Sequence, residues 1–224
     1  MDERALDDLR NLATRDAELE RRARRLRELD HGTAEIRHAA EAIDAFFTAY
    51  PAEETARREE VAGAEAELAH RREELAEAQA ELAATHDDQA RDLAQRAVAR
   101  ADDHIGVASA RLERARKSRD ELEHEAHTLP RAVPDLEARA TAISDEAADL
   151  PEPGEGPRAL VEWASHAHAE LFVAAGHIDT QRERIIREAN ELASALTGEA
   201  TYGSTATQAL RRAEENTSRN RPSA

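Results

Sequence analysis

"EAELAHRREEL", residues 65–75, admits two readings that lead to different proteins. Glu67 and His70 have the Glu-x-x-His spacing by which di-iron bundles present ligands from one helix. Leu68 and Leu75 stand seven apart, the spacing of a coiled-coil seam. The phase of the surrounding sequence decides between them.

From residue 12 one seam row reads Leu12, Leu19, Leu26, Thr33, Ala40, Phe47, Glu54, Val61, Leu68, Leu75, Leu82. Three residues later its companion reads Arg15, Arg22, Leu29, Ile36, Ile43, Tyr50, Arg57, Ala64, Arg71, Ala78, Thr85. Written as a and d positions, this alternation predicts long helices packed along a narrow stripe. A second register begins near Val98, with Val98, Ile105, Leu112, Arg119 and Ala126 as its a row. Its d row is Ala101, Ala108, Ala115, Leu122 and Leu129. The two registers differ by two residues, and the slip falls within 85–97. Either the helix runs on with a locally unwound supercoil, or the chain turns near His86–Asp88 with Thr85 or Asp87 as the new cap.

Phase argues against metal. The three Glu-x-x-His pairs are Glu35–His38, Glu67–His70 and Glu121–His124. Two of the histidines fall at f, pointing away from the seam, and His70 falls at c. No cysteine is available as a thiolate ligand. Walker A and Gly-x-Ser-x-Gly patterns are also missing. The reading therefore names no catalytic residue, cofactor site or metal site, and expects a non-enzymatic protein.

Composition agrees with helices. Only 3% of residues are aromatic and 35% are charged, with eight glycines and seven prolines. That mixture with helical periodicity belongs to long helices, and no run of alternating β-branched residues predicts a strand. The fold class expected is all-α: long coiled-coil helices packed as an antiparallel hairpin or elongated bundle. Gly32 is expected to be a weak point in a continuous helix, and Pro51 a kink or a turn. Residues 1–129 form the heptad-patterned part, and 130–156 a proline-rich connector with a short helix near 135–149. A long helix covers 157–197, opened by Pro157 and stopped by Gly198. Residues 198–224 hold a short helix capped by Ser204 or Thr205, then a disordered tail from Asn216. The long helix carries Leu171, Ile178, Ile185 and Leu192 on its inner row, and His168 and Arg182 on the companion row. Trp163 and Phe172 are expected to meet Phe46, Phe47 and Tyr50 in the thickest part of the core.

The net charge of −17 disfavours nucleic acid and anionic lipid as partners. Arginine clusters at 21–27 and 111–119 are local exceptions, expected to pair with neighbouring glutamates. The opening "MDERALDDLR" lacks the apolar core of a signal peptide, so a cytoplasmic protein is expected. A structural or scaffold/adaptor protein acting through helix–helix contact fits these features, with protein helices as partners (a second copy or another coiled coil) and no small-molecule substrate. A chromosome-associated coiled coil and a membrane-remodelling helical hairpin are the alternatives.

Overall fold

A computed structural model of the chain describes residues 3–147 and 149–219, with side chains to residue 216. All the regular structure among them is helical. Helix α1 spans Glu3–Ala84, α2 Asp88–Thr128, α3 Val133–Glu146, α4 Pro157–Thr197 and α5 Ala206–Arg219. A 3-10 turn, Leu129–Ala132, leads from α2 into α3.

The helix ends follow from local chemistry. The chain turns at 85–87, and Asp87, in extended conformation, accepts the Ala90 amide at 2.9 Å to cap α2. The open choice at 85–97 is thus settled as a turn. Pro157 opens α4, and Gly198 closes it in the left-handed region at φ 72°. Thr205 accepts the Gln208 amide at the start of α5. That helix runs on to Arg219, so Asn216–Arg219 are helical rather than the start of a tail. The remaining tail, 220–224, lies outside the described residues.

Two interior irregularities are absorbed by α1. It passes Gly32 unbroken, and a Cβ there would sit 3.3 Å from Ile143 Cδ1 of α3, so the small residue permits close approach. It also passes Pro51 without turning. Proline has no amide to donate to the preceding turn and crowds it.

The chain divides into two compact units, with α1 contributing to both. In the unit of residues 41–135, α2 runs back along α1. Rising numbers on α2 meet falling numbers on α1, as in Arg111–Glu67 and Arg116–Glu65. Its core is thin: Val61, Ala64 and Leu68 against Ala108, Leu112 and Ala115.

The other unit combines α1 up to Ala40 with Leu136 onward. Here α3, α4 and α5 each run antiparallel to α1. The evidence is Arg139–Glu35 with Arg25–Glu146, His168–Asp30 with Arg182–Asp16, and Arg10–Glu214 with the Ala206 amide on Asp16. Helices α3 and α4 are therefore parallel, and residues 149–156 return beside α3. Glu137 of α3 accepts the Gly156 amide at 2.7 Å on that return path. Around the N-terminal part of α1 the core is Leu9 and Ala13 with Ile185, Ala189 and Ala193 of α4 and Ala206, Ala209 and Ala213 of α5. Alanine at so many contact positions lets backbones approach closely.

Replacing Pro51 by alanine restores a backbone donor and removes the clash in an exposed helix interior. We expect Pro51→Ala to raise stability by about 1–3 kcal/mol, seen as a higher urea midpoint at unchanged slope.

Candidate functional site

The helix-facing surfaces are the chemistry this chain offers. Among the sequence-predicted interface residues, Leu29, Ile36, Ile43, Val61, Leu68, Leu112, Leu122, Leu171, Ile178 and Ile185 are buried. Leu12, Leu19, Leu26, Leu75, Leu82, Val98, Ile105, Leu129 and Leu192 are partly covered. Phe47 is 38% exposed and lies edge-on to Phe46, which packs in turn on Tyr50. The inward place falls to Phe46 instead, since Phe46 and Tyr50 follow the buried Ile43 at helical spacing.

Near the start of α1 the seam lies one residue later than the heptad rows predict. Arg15 and Arg22 are exposed, while Asp16 and Ala23 are buried. The stripe there runs Leu9, Ala13, Asp16, Ala23, because α4 and α5 together cover that arc.

Asp16 is the residue that pattern reading missed. It is 1% exposed. One carboxylate oxygen accepts Arg182 Nε at 3.0 Å and the other accepts the Ala206 amide at 3.0 Å. Arg182 also reaches Glu20 at 3.3 Å. A carboxylate from α1 thus satisfies an orphan donor at the head of α5 and complements that helix's positive end. Asp16 ties α1 to both α4 and α5, and its partner on α4, Arg182, stands on the companion row. Its only sequence signal was a cation on an otherwise apolar-facing row.

A second polar node holds the return segment. Buried Trp163 donates from Nε1 to Ser144 Oγ at 3.1 Å and to Pro151 O at 3.0 Å, while Ser144 Oγ donates to Pro151 O at 2.9 Å. Phe172 differs from Trp163: it is 69% exposed, with its ring against His168, so it lies in no core.

The arginines on seam rows of the other unit behave amphipathically. Arg57, Arg71 and Arg119 are partly covered, and their guanidinium groups turn to Glu60, Glu74 and Asp120 of the same helix. The hydrogen bond from Arg71 holds Glu74 below the usual carboxylate range. In the first unit, Arg25 clasps Glu146 with two bonds of 2.5 and 2.6 Å, and this lowers the Glu146 pKa while raising that of Arg25.

The Glu-x-x-His carboxylates are spent on arginine and lysine. Glu35 takes Arg139, Glu67 takes Arg111, and Glu121 lies 3.7 Å from Lys117. Among the described residues no group of three histidine, aspartate or glutamate side chains is placed to hold a metal ion. A cleft of about 610 Å³ lies over Leu26, Leu29, Leu171 and Ile178, with the Arg25–Glu146 clasp at its wall. No serine, threonine, cysteine or lysine lines it; its titratable lining groups are Arg22, Arg25, Glu146, Asp149, Glu170 and His177. No described helix is long and apolar enough to cross a membrane. No protein-family model, curated protein or solved structure matches the chain.

Removing Asp16 leaves Arg182 without its most buried partner and the α5 amide without an acceptor. We expect Asp16→Ala to cost about 3–5 kcal/mol, with hydrogen exchange accelerating first in α5. For Glu146 the folded pKa lies below its ordinary value of 4.5, so its stabilisation is present above that value and fades as pH falls through the lowered one. The melting-temperature gap between the parent protein and Glu146→Gln should be full at neutral pH and shrink below about pH 4.

Proposed function

We propose that this chain is a cytoplasmic helical scaffold or adaptor, built on an antiparallel coiled-coil hairpin and acting through helix–helix contact with other protein helices. The observation that carries the reading is how charges flank the α1–α2 seam. With Val61, Ala64 and Leu68 at a, d and a, Glu65 falls at e and Glu67 at g. With Ile105, Ala108, Leu112 and Ala115 at a, d, a and d, Arg111 falls at g and Arg116 at e. The ion pairs join g to g at 2.8 Å and e to e at 2.7 Å. Flanking positions meet their own kind when two such helices run antiparallel, and these pairs select partner and orientation. A closed internal seam leaves the outer faces free to dock partners, and such a role needs no catalytic pocket.

The alternatives find less support. A nucleic-acid reading requires free arginines gathered in a stripe. Within 21–27, Arg24, Arg25 and Arg27 pair with Glu20, Glu146 and Asp179. Within 111–119, Arg111, Arg116 and Arg119 pair with Glu67, Glu65 and Asp120. A membrane-seeking first helix requires free apolar residues, yet Leu9 is buried among α4 and α5 residues.

Two experiments test this reading. Reversing one flanking charge, Arg111→Glu, should lower the melting temperature, and adding Glu67→Arg should recover most of the loss. A double variant no better than the single one counts against the paired seam. For the function, a photo-cross-linking residue at exposed Leu93 or Val107 of α2 should trap protein in the cell that makes the chain. Adducts of nucleic acid or lipid alone would overturn the scaffold reading.

A further inference from the structure

Helices α3, α4 and α5 share the covering of α1 in their unit, and they do so with unequal side chains. Helix α4 buries Leu160, Trp163, Leu171, Ile178 and Ile185, and α3 buries Leu136 and Ile143. Helix α5 buries Ala206, Ala209 and Ala213, with Leu210 only partly covered. Apolar stabilisation scales with the area removed from water, so α5 is the least firmly seated of the three.

The polar contacts point the same way. Asp16 accepts the Ala206 amide through one oxygen and Arg182 Nε through the other, both at 3.0 Å. When α5 departs, Asp16 keeps Arg182, and Arg182 keeps Glu20 at 3.3 Å. The oxygen and the amide that separate both gain access to water. Departure of α4 would instead remove Arg182 and leave Asp16 without its counter-charge, which is the costly case. Farther along α5, Arg10 gives up Glu214 at 3.3 Å but keeps Asp7 at 3.1 Å. The bond from Arg212 to the Tyr202 carbonyl lies within the departing piece.

The connection to α4 has the features of a hinge. Gly198 ends α4 at φ 72°, a region that glycine enters without a Cβ penalty. The chain then runs back along α4, where Ser194 Oγ accepts the Thr201 amide at 2.8 Å. The Asn190 side chain accepts the Gly203 amide at 2.7 Å and donates to the Gly203 carbonyl at 3.1 Å. Tyr202, the one large side chain of 199–205, is 77% exposed, so no apolar anchor resists release.

We propose that α5 is a releasable latch, leaving α1 and α4 as one unit about residues 198–205 while α1, α3 and α4 stay folded together. Release uncovers Leu9, Ala13, Ile185, Ala189 and Ala193, which the closed form hides. Elements that move in switching are drawn from those that open below the global unfolding limit. This motion lies within one chain and stands whether or not the scaffold reading does.

The test is native-state hydrogen exchange of the full chain in rising, sub-denaturing urea. Amides of residues 209–216 should open together, about tenfold or more faster than the slowest amides of α4, and with a shallower urea slope. Ala209→Leu puts a large side chain at a fully buried site. It should leave α5 nearly unprotected while the slowest amides of α4 remain protected by about a hundredfold or more. Exchange of α5 at the rate and urea slope of the slowest α4 amides overturns the latch. So do rates that grade along α5 with no urea dependence, because that is fraying rather than release. Loss of protection in α4 together with α5 in Ala209→Leu also overturns it.

Discussion

An 82-residue helix has an apolar stripe it cannot cover by itself, and the rest of the chain is folded back to cover it. Long isolated helices are marginal in water, because most helical stability in proteins comes from packing an amphipathic face. Helix α2 supplies that cover in one unit, and α3, α4 and α5 supply it in the other, each antiparallel to α1. The cover is thin. Alanine fills much of both cores, and each buried methyl contributes far less than the ~1.5–3 kcal/mol of a buried leucine. Close backbone approach substitutes for large side chains, which explains how α1 keeps its course past Gly32 with Ile143 against it.

Thin apolar seams specify register weakly, so polar contacts do much of the choosing. Asp16 ties α1 to Arg182 of α4 and to the head of α5, and any slip would strand a buried charge. Trp163, Ser144 and the Pro151 carbonyl hold the return segment that lets α3 and α4 run parallel. Arg111 and Arg116 bracket the other unit's seam from its two sides. These contacts say which helix lies against which, and how far along.

The same economy shapes the surface. About half of the arginines turn to a carboxylate of their own or a neighbouring helix, among them Arg24, Arg25 and Arg27 of one basic cluster and Arg111, Arg116 and Arg119 of the other. Against that background the exposed side chains of Phe172 and Val173 stand apart.

Periodicity marked the chain as helical and placed Leu68 and Leu112 inward, and Pro157 and Gly198 marked where α4 begins and ends. Burial at 3.5–3.6-residue spacing is a local property, legible wherever a leucine recurs. The turn at 85–87 was legible only as one of two choices, because no glycine or proline marks it and only packing of α2 on α1 favours reversal. The slip that exposes Arg15 and buries Asp16 was not legible. Which arc of α1 is covered depends on α4 and α5, far away in sequence. An aspartate at a core position looks like a solvated one until Arg182, 166 residues later, arrives beside it. Phe172 likewise looks like core by composition, and only the placement of α4 turns it outward. Tertiary structure decided these points because a charge or a ring takes its meaning from what lies across from it.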